Sequence, residues 1–104
     1  METLTLKKAI KVTKKVGDVV QDQTITELSF DWDKVNGYAL IRCEKNARKQ
    51  NPGIMVLMLD QTYQAYVAAV ATDLQVDDIF SLSGSDFQAA LMVVLNFLTS
   101  STVS

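Results

Sequence analysis

The chain has 104 residues and no histidine, with one cysteine and one proline among them. Without histidine it lacks the usual general base at neutral pH, the Ser-His and Cys-His nucleophile pairs and the commonest zinc ligand. The lone Cys43 cannot close an internal disulfide or build a zinc or iron–sulfur site, and points to a reducing compartment. No GxGxxG or GxxxxGK[ST] phosphate loop is present, nor the spacing of an EF-hand calcium loop. These gaps predict a protein that is not an enzyme, with no cofactor, no metal and no catalytic residues. No apolar run reaches the ~18 residues that span a bilayer. The opening METLTLKKAI lacks the regions of a signal peptide, so a soluble, cytoplasmic protein is expected. One proline and four glycines against 48% apolar residues exclude a fibrous or disordered chain and leave a single domain over 1–104.

Basic residues are missing from the second half. All ten Lys and Arg precede Pro52, beside seven acids, for +3; after it stand five acids and no base, for −5, which gives the net −2. Two readings remain open: ends that face different surroundings, or a basic half docking on an acidic one.

Residues 3–12 alternate, with Leu4, Leu6, Ile10 and Val12 on one face and Lys8 interrupting the apolar row. Residues 24–32 repeat the pattern through Leu28, Phe30 and Trp32. The spacing predicts a β-hairpin over 3–32 with Gly17-Asp18 at a long or ragged tip, and its apolar face must rest on helices. A first helix over 36–49 is predicted, capped by Asn36, with Tyr38, Ile41 and Ala47 as its apolar side. Asn51-Pro52 then caps a second over 53–72, whose stripe is Met55, Leu59, Tyr63, Tyr66 and Val70. Its alanines, among them Ala65, Ala68, Ala69 and Ala71, would let a neighbour come close.

Leu74 to Leu82 reads as a connector. Ser83 and Asp86 form a capping-box variant, with Leu82 and Phe87 where a hydrophobic staple would close, opening a third helix over 84–99. Residues 100–104 read as a frayed tail. The fold class is therefore α+β, a two-stranded hairpin packed on a three-helix bundle.

From Phe87 to Leu98, ten of twelve residues are apolar, more than the single stripe a surface helix needs. Phe87, Ala90, Leu91, Val94 and Leu98 are most simply core. Ala89, Met92, Val93 and Leu95 fall partly on other sides and are the candidate partner-binding residues. Each other conspicuous group has a plainer reading beside its functional one. Tyr63 and Tyr66 could anchor an interface or pack in the core. Cys43 could be a reactive thiol or a small buried hydrophobe. Asp77 and Asp78 could serve a metal but are more simply solvated loop acids. Lys7, Lys8, Lys11, Lys14 and Lys15 could contact nucleic-acid phosphates, or keep an edge strand soluble.

The segments TLTLKKAIKV, ITELSFDWDKVNGYALIRCEKNA and DIFSLSGSDFQAALMVVLNFL resemble the tail assembly chaperones of long-tailed bacteriophages. The likeness is to the short tail proteins of Mu-like and P2-like phages and their relatives. It covers about residues 3–98. Two departures stand out: proline is frequent in that group where Ala9 stands, and 13–23 is longer than its usual short turn. The resemblance implies a non-enzymatic chaperone that binds the tape measure protein, keeps it soluble and helps recruit the major tail protein. It also implies a place in the bacterial host cytoplasm and absence from the mature virion. A homo-oligomer is compatible with it. The alternatives from other classes are a small nucleic-acid-associated regulator using the lysine-rich ribbon, and a structural protein of the tail.

Overall fold

The computed structural model describes residues 2–100 and has the α+β architecture that the periodicities predict. β1 (Glu2–Val16) and β2 (Val19–Phe30) form an antiparallel two-stranded sheet. Its tip is not ragged. Pairing runs without a break from Ile10↔Ile25 to Val16↔Val19, and Gly17-Asp18 is a two-residue turn. Gly17 has φ +62°, the positive value that a type II′ turn demands at its first central position.

The interruption at Lys8 has a structural cause. The register jumps from Thr5↔Glu27 to Ile10↔Ile25, so residues 6–9 of β1 stand opposite Thr26 alone. This bulge lets Leu6, Ile10 and Val12 all stay buried while Lys7, Lys8 and Ala9 swing outward.

α1 (Gly37–Gln50) starts as expected, with Asn36 Oδ1 accepting from the Ala39 amide at 3.0 Å. Its buried side matches the predicted one only at Ala47. Ala39, Cys43 and Ala47, spaced i, i+4, i+8, face inward, while Tyr38 and Ile41 are 80% and 54% exposed. Small side chains win that face because α1 packs on α2, whose own surface there is alanine-rich.

The second helix is shorter than predicted. α2 spans Gln61–Thr72, and 52–60 is an irregular segment with one 3₁₀ turn at Leu57–Leu59. Asn51 does not cap it; the Asn51 side chain accepts instead from the Gly53 amide at 3.3 Å. The cap is Asp60, whose carboxylate accepts from the Tyr63 amide at 2.9 Å. The extended backbone at Val56 precludes a helix continuous from Asn51. α2 closes on Asp73 in the left-handed conformation, whose amide returns to Ala69 and Val70 carbonyls.

The predicted connector contains a further short helix, α3 (Val76–Phe80), so three long helices and one short one follow the hairpin. α4 (Gly84–Ser100) runs one residue past the predicted end; Ser100 is helical, and the rest of the predicted tail lies outside the described residues.

α2 is the centre of the molecule. Seven of its twelve residues are buried, and it touches α1, α3, α4 and β2. Ala65, Val67 and Ala68 have no exposed surface. The hairpin closes onto this centre through the Asp31 amide, which donates to the Ala71 carbonyl at 2.9 Å. It closes onto α4 through Trp32. That ring, half-buried rather than fully inward, stacks between Phe30 and Phe97, with the Phe97 centroid 4.2 Å away. Among the described residues no helix is long and apolar enough to cross a membrane.

Candidate functional site

The site grows from the segment between α1 and α2. Pro52-Gly53 ends helical geometry, and the next six residues, Ile54 to Leu59, are all apolar. A loop of that composition would ordinarily collapse inward. Here its backbone is held from both neighbouring helices. Arg48 of α1, itself paired with Glu44 at 3.0 Å, donates to the Ile54 carbonyl at 3.2 Å. Gln64 of α2, a buried side chain, donates to the Met58 carbonyl at 2.6 Å. Ile54, Leu57 and Met58 pack against the core, while Met55, Val56 and Leu59 remain 95%, 56% and 60% exposed. The outcome is an apolar display on a tethered backbone.

Beside it lies an open cleft of about 460 Å³ lined by Met55, Val56, Leu57, Met58, Tyr63 and Leu98. A second, of about 260 Å³, is lined by Gln61, Gln64, Gln88, Leu91, Met92 and Leu95. Leu98 lines the first and Leu95 the second, one helical turn apart on α4. Neither lining contains a charged residue.

The four sequence-nominated residues divide across this region. Met92 is 58% exposed and, with Leu95, lines the smaller cleft. Ala89, Val93 and Leu95 are half-buried, and Val93 packs against the core. Sequence reasoning missed Met55 and Leu59 as surface residues because their spacing fits a helical stripe, and it did not single out Val56. The available signal was a second cap residue, Asp60, with six apolar residues in front of it.

The remaining conspicuous residues take structural places. Tyr63 is core, and burial, then the nearby Cys43 and Glu44, pushes its phenol up. Tyr66 is half-buried and its hydroxyl accepts from Gln50 at 2.7 Å. Cys43 is buried, which pushes its thiol up to about 11 against a small opposing pull from Arg42. A thiol so protonated is a poor nucleophile. Asp78 caps α3, accepting from the Gln75 amide at 3.0 Å. Among the described residues no cluster of acids and cysteine could hold a metal ion.

Asp86 does something its motif did not announce. Ser83 Oγ accepts from the Asp86 amide at 3.3 Å, which is half of a capping box. The Asp86 carboxylate does not return the favour within the helix. Both its oxygens accept, at 3.0 Å each, from the Lys7 and Lys8 amides at the β1 bulge. Both residues stand in the bulge, outside the paired register, and the acid takes both amides while only 2% exposed.

The lysine cluster lies on β1, with Lys7, Lys8, Lys11 and Lys15 exposed and Lys14 half-buried over a groove that Asp73 and Asp78 also line. Among the described residues the ion pair joining the basic half to the acidic half is Lys34–Asp73, at 3.9 Å and well exposed. Comparison with family models, curated proteins and solved structures finds no match for this chain.

Proposed function

We propose that the chain is a non-enzymatic assembly chaperone of bacteriophage tails, which binds the tape measure protein through the surface formed by Met55, Val56, Leu59, Met92 and Leu95. The observation that carries the reading is the apolar segment 54–59, exposed on a backbone that Arg48 and Gln64 hold in place. Four large apolar side chains facing water on this segment and on α4 (Met55, Val56, Leu59, Met92) are costly to keep in an isolated monomer and useful against apolar helices. Two of the four are methionines, whose flexible thioethers adapt to varied apolar shapes and suit a partner that must later be released. The resemblance over residues 3–98 supplies the identity of the partner, and the host cytoplasm as the place of action.

Co-expression with the tape measure protein of the same phage tests the reading. The expected result is co-purification and a larger soluble fraction of the long helical protein. Met55→Glu and Met92→Glu together should remove both effects while the variant stays folded by circular dichroism. No co-purification and no gain in solubility with the unaltered chain would overturn the assignment.

A further inference from the structure

We propose that the groove between α1 and the α2–α3 turn, together with the basic side of α1 beside it, is a second docking site. Its occupant is an acidic amphipathic helix of a partner protein. The inference does not depend on the tape measure protein, which is proposed above for a different face.

Charge is the first ground. Arg42, Lys45 and Lys49 are exposed and fall within about 60° of one another around α1, with Tyr38 in the same arc. No acid shares that arc. The one carboxylate of α1, Glu44, lies on another side and is held by Arg48 at 3.0 Å. Among the described residues none of the three cations has an ion pair. The helix dipole accounts for a base in the last turn, such as Lys49, but not for Arg42 and Lys45 in the middle. Uncompensated cations along one stripe, on a chain whose net charge is −2, fit a partner that brings carboxylates at the same helical spacing.

The groove supplies the apolar half. It holds about 460 Å³, with Ala69, Val70, Leu74 and Val76 on the α2–α3 side and Arg42 and Asn46 on the α1 side. Tyr38 and Ile41, 80% and 54% exposed, extend the apolar surface toward the start of α1. From Tyr38 to Lys49 the site is about 16 Å long, the reach of three turns of a partner helix. Such a helix sets its apolar stripe in the groove and its carboxylates over Arg42, Lys45 and Lys49. A single-stranded nucleic acid could use the same cations and stack on Tyr38, but two features disfavour it. Asp73 also lines the groove, where a phosphate strand would meet its charge, and its one cation, Lys34, is 3.9 Å away. Ile41 and the aliphatic wall, moreover, give nothing to a phosphodiester and a seat to aliphatic side chains.

Titration of the full chain, followed by NMR, with a synthetic helix of about 18 residues tests this, its leucines on one face and its glutamates beside them. The expected result is reversible binding that salt weakens, with shifted signals confined to α1, the α2–α3 turn and α3. Lys45→Glu with Lys49→Glu should weaken it on the order of tenfold, by turning two attractions into repulsions at exposed positions where the fold loses little. Met55→Glu with Met92→Glu should leave it unchanged. Serine in place of the peptide's leucines should abolish binding. No binding at low salt overturns the inference, as does binding that survives Lys45→Glu with Lys49→Glu or is lost in Met55→Glu with Met92→Glu. Equal binding of the serine peptide also overturns it, since any polyanion would then do. Tighter binding of a single-stranded oligothymidylate at the same residues overturns it in favour of nucleic acid. A chain that binds the acidic helix yet fails with tape measure protein would refute the chaperone reading alone.

Discussion

A single carboxylate decides how the two parts of this molecule are joined. Asp86 begins α4, yet its oxygens face the bulge of β1 and accept the Lys7 and Lys8 amides there. The Lys7 amide, then the Lys8 amide, the Ser83 hydroxyl and the Lys7 charge hold its carboxyl below the ordinary 3.8, against desolvation, which raises it. A lowered folded-state pKa means that the contribution to stability is complete above the ordinary carboxylate range and is lost as pH falls through it toward the lowered value. Acid titration of the melting temperature should therefore show a downward limb below about pH 4 that Asp86→Asn flattens. At neutral pH that variant presents an amide donor to a backbone donor. Its melting temperature should drop on the order of 5–10 °C, more than for Asp78→Asn, whose carboxylate takes a single amide at the start of α3. Cys43 has the opposite sign. A thiol raised from 9.0 to about 11 adds stability that is present below pH 9 and fades as pH rises toward 11, and the raised Tyr63 phenol acts in the same direction. At pH 8 the native thiolate is therefore far scarcer than in the unfolded chain. Alkylation of Cys43 should accordingly be slow until denaturant is added.

At the scale of elements, the segment 52–60 and α2 were separable only by their caps. Apolar spacing from Met55 to Val70 suits one long helix, and nothing in that periodicity marks a boundary. The boundary is set by the Asp60 carboxylate on the Tyr63 amide and by Gln64, which spends its side chain on the Met58 carbonyl. Gln64→Ala should leave that carbonyl unpaired and cost about 1–3 kcal/mol. Amide exchange should quicken across 54–59 while the centre of α2 stays protected, which separates a loosened segment from general unfolding. Gly17 is the other position where local geometry is decisive. Any side chain at φ +62° is strained whatever the space around it, so Gly17→Val should cost about 1–2 kcal/mol and fray the hairpin tip.

Seen whole, the molecule is a helix, α2, wrapped by everything else, with a basic ribbon on one part and a charge-free apolar face on another. Among the described residues, besides the Lys7 charge near Asp86, the imbalance between the two halves is met by one exposed ion pair, Lys34–Asp73. Such a pair is worth well under 1 kcal/mol, so stability should change little between low and high salt. Any nucleic-acid binding by the ribbon would instead be strongly salt-dependent, and its absence at low salt would retire the regulator alternative.

Period-two and helical spacing, turn glycine and cap residues are local properties, and they made the hairpin, α1, α4 and the α+β class legible before any coordinates. The strand pairs, the Gly17-Asp18 turn and the Asn36 cap each follow from neighbours in the chain. The side of a helix that is buried does not. Tyr38 and Ile41 lose the inner face of α1 to Ala39, Cys43 and Ala47 only because α2 comes close enough to reward small side chains. In the same way the Phe87–Leu98 run is largely enclosed, because α2, the hairpin and the 54–59 segment cover it, and the surplus apolar surface surfaces instead at Met55, Val56 and Leu59. Contacts such as Asp86 with Lys7 and Lys8, nearly eighty residues apart, have no signature in a linear pattern. Burial is a property of what packs opposite, and that is settled only when the chain has closed on itself.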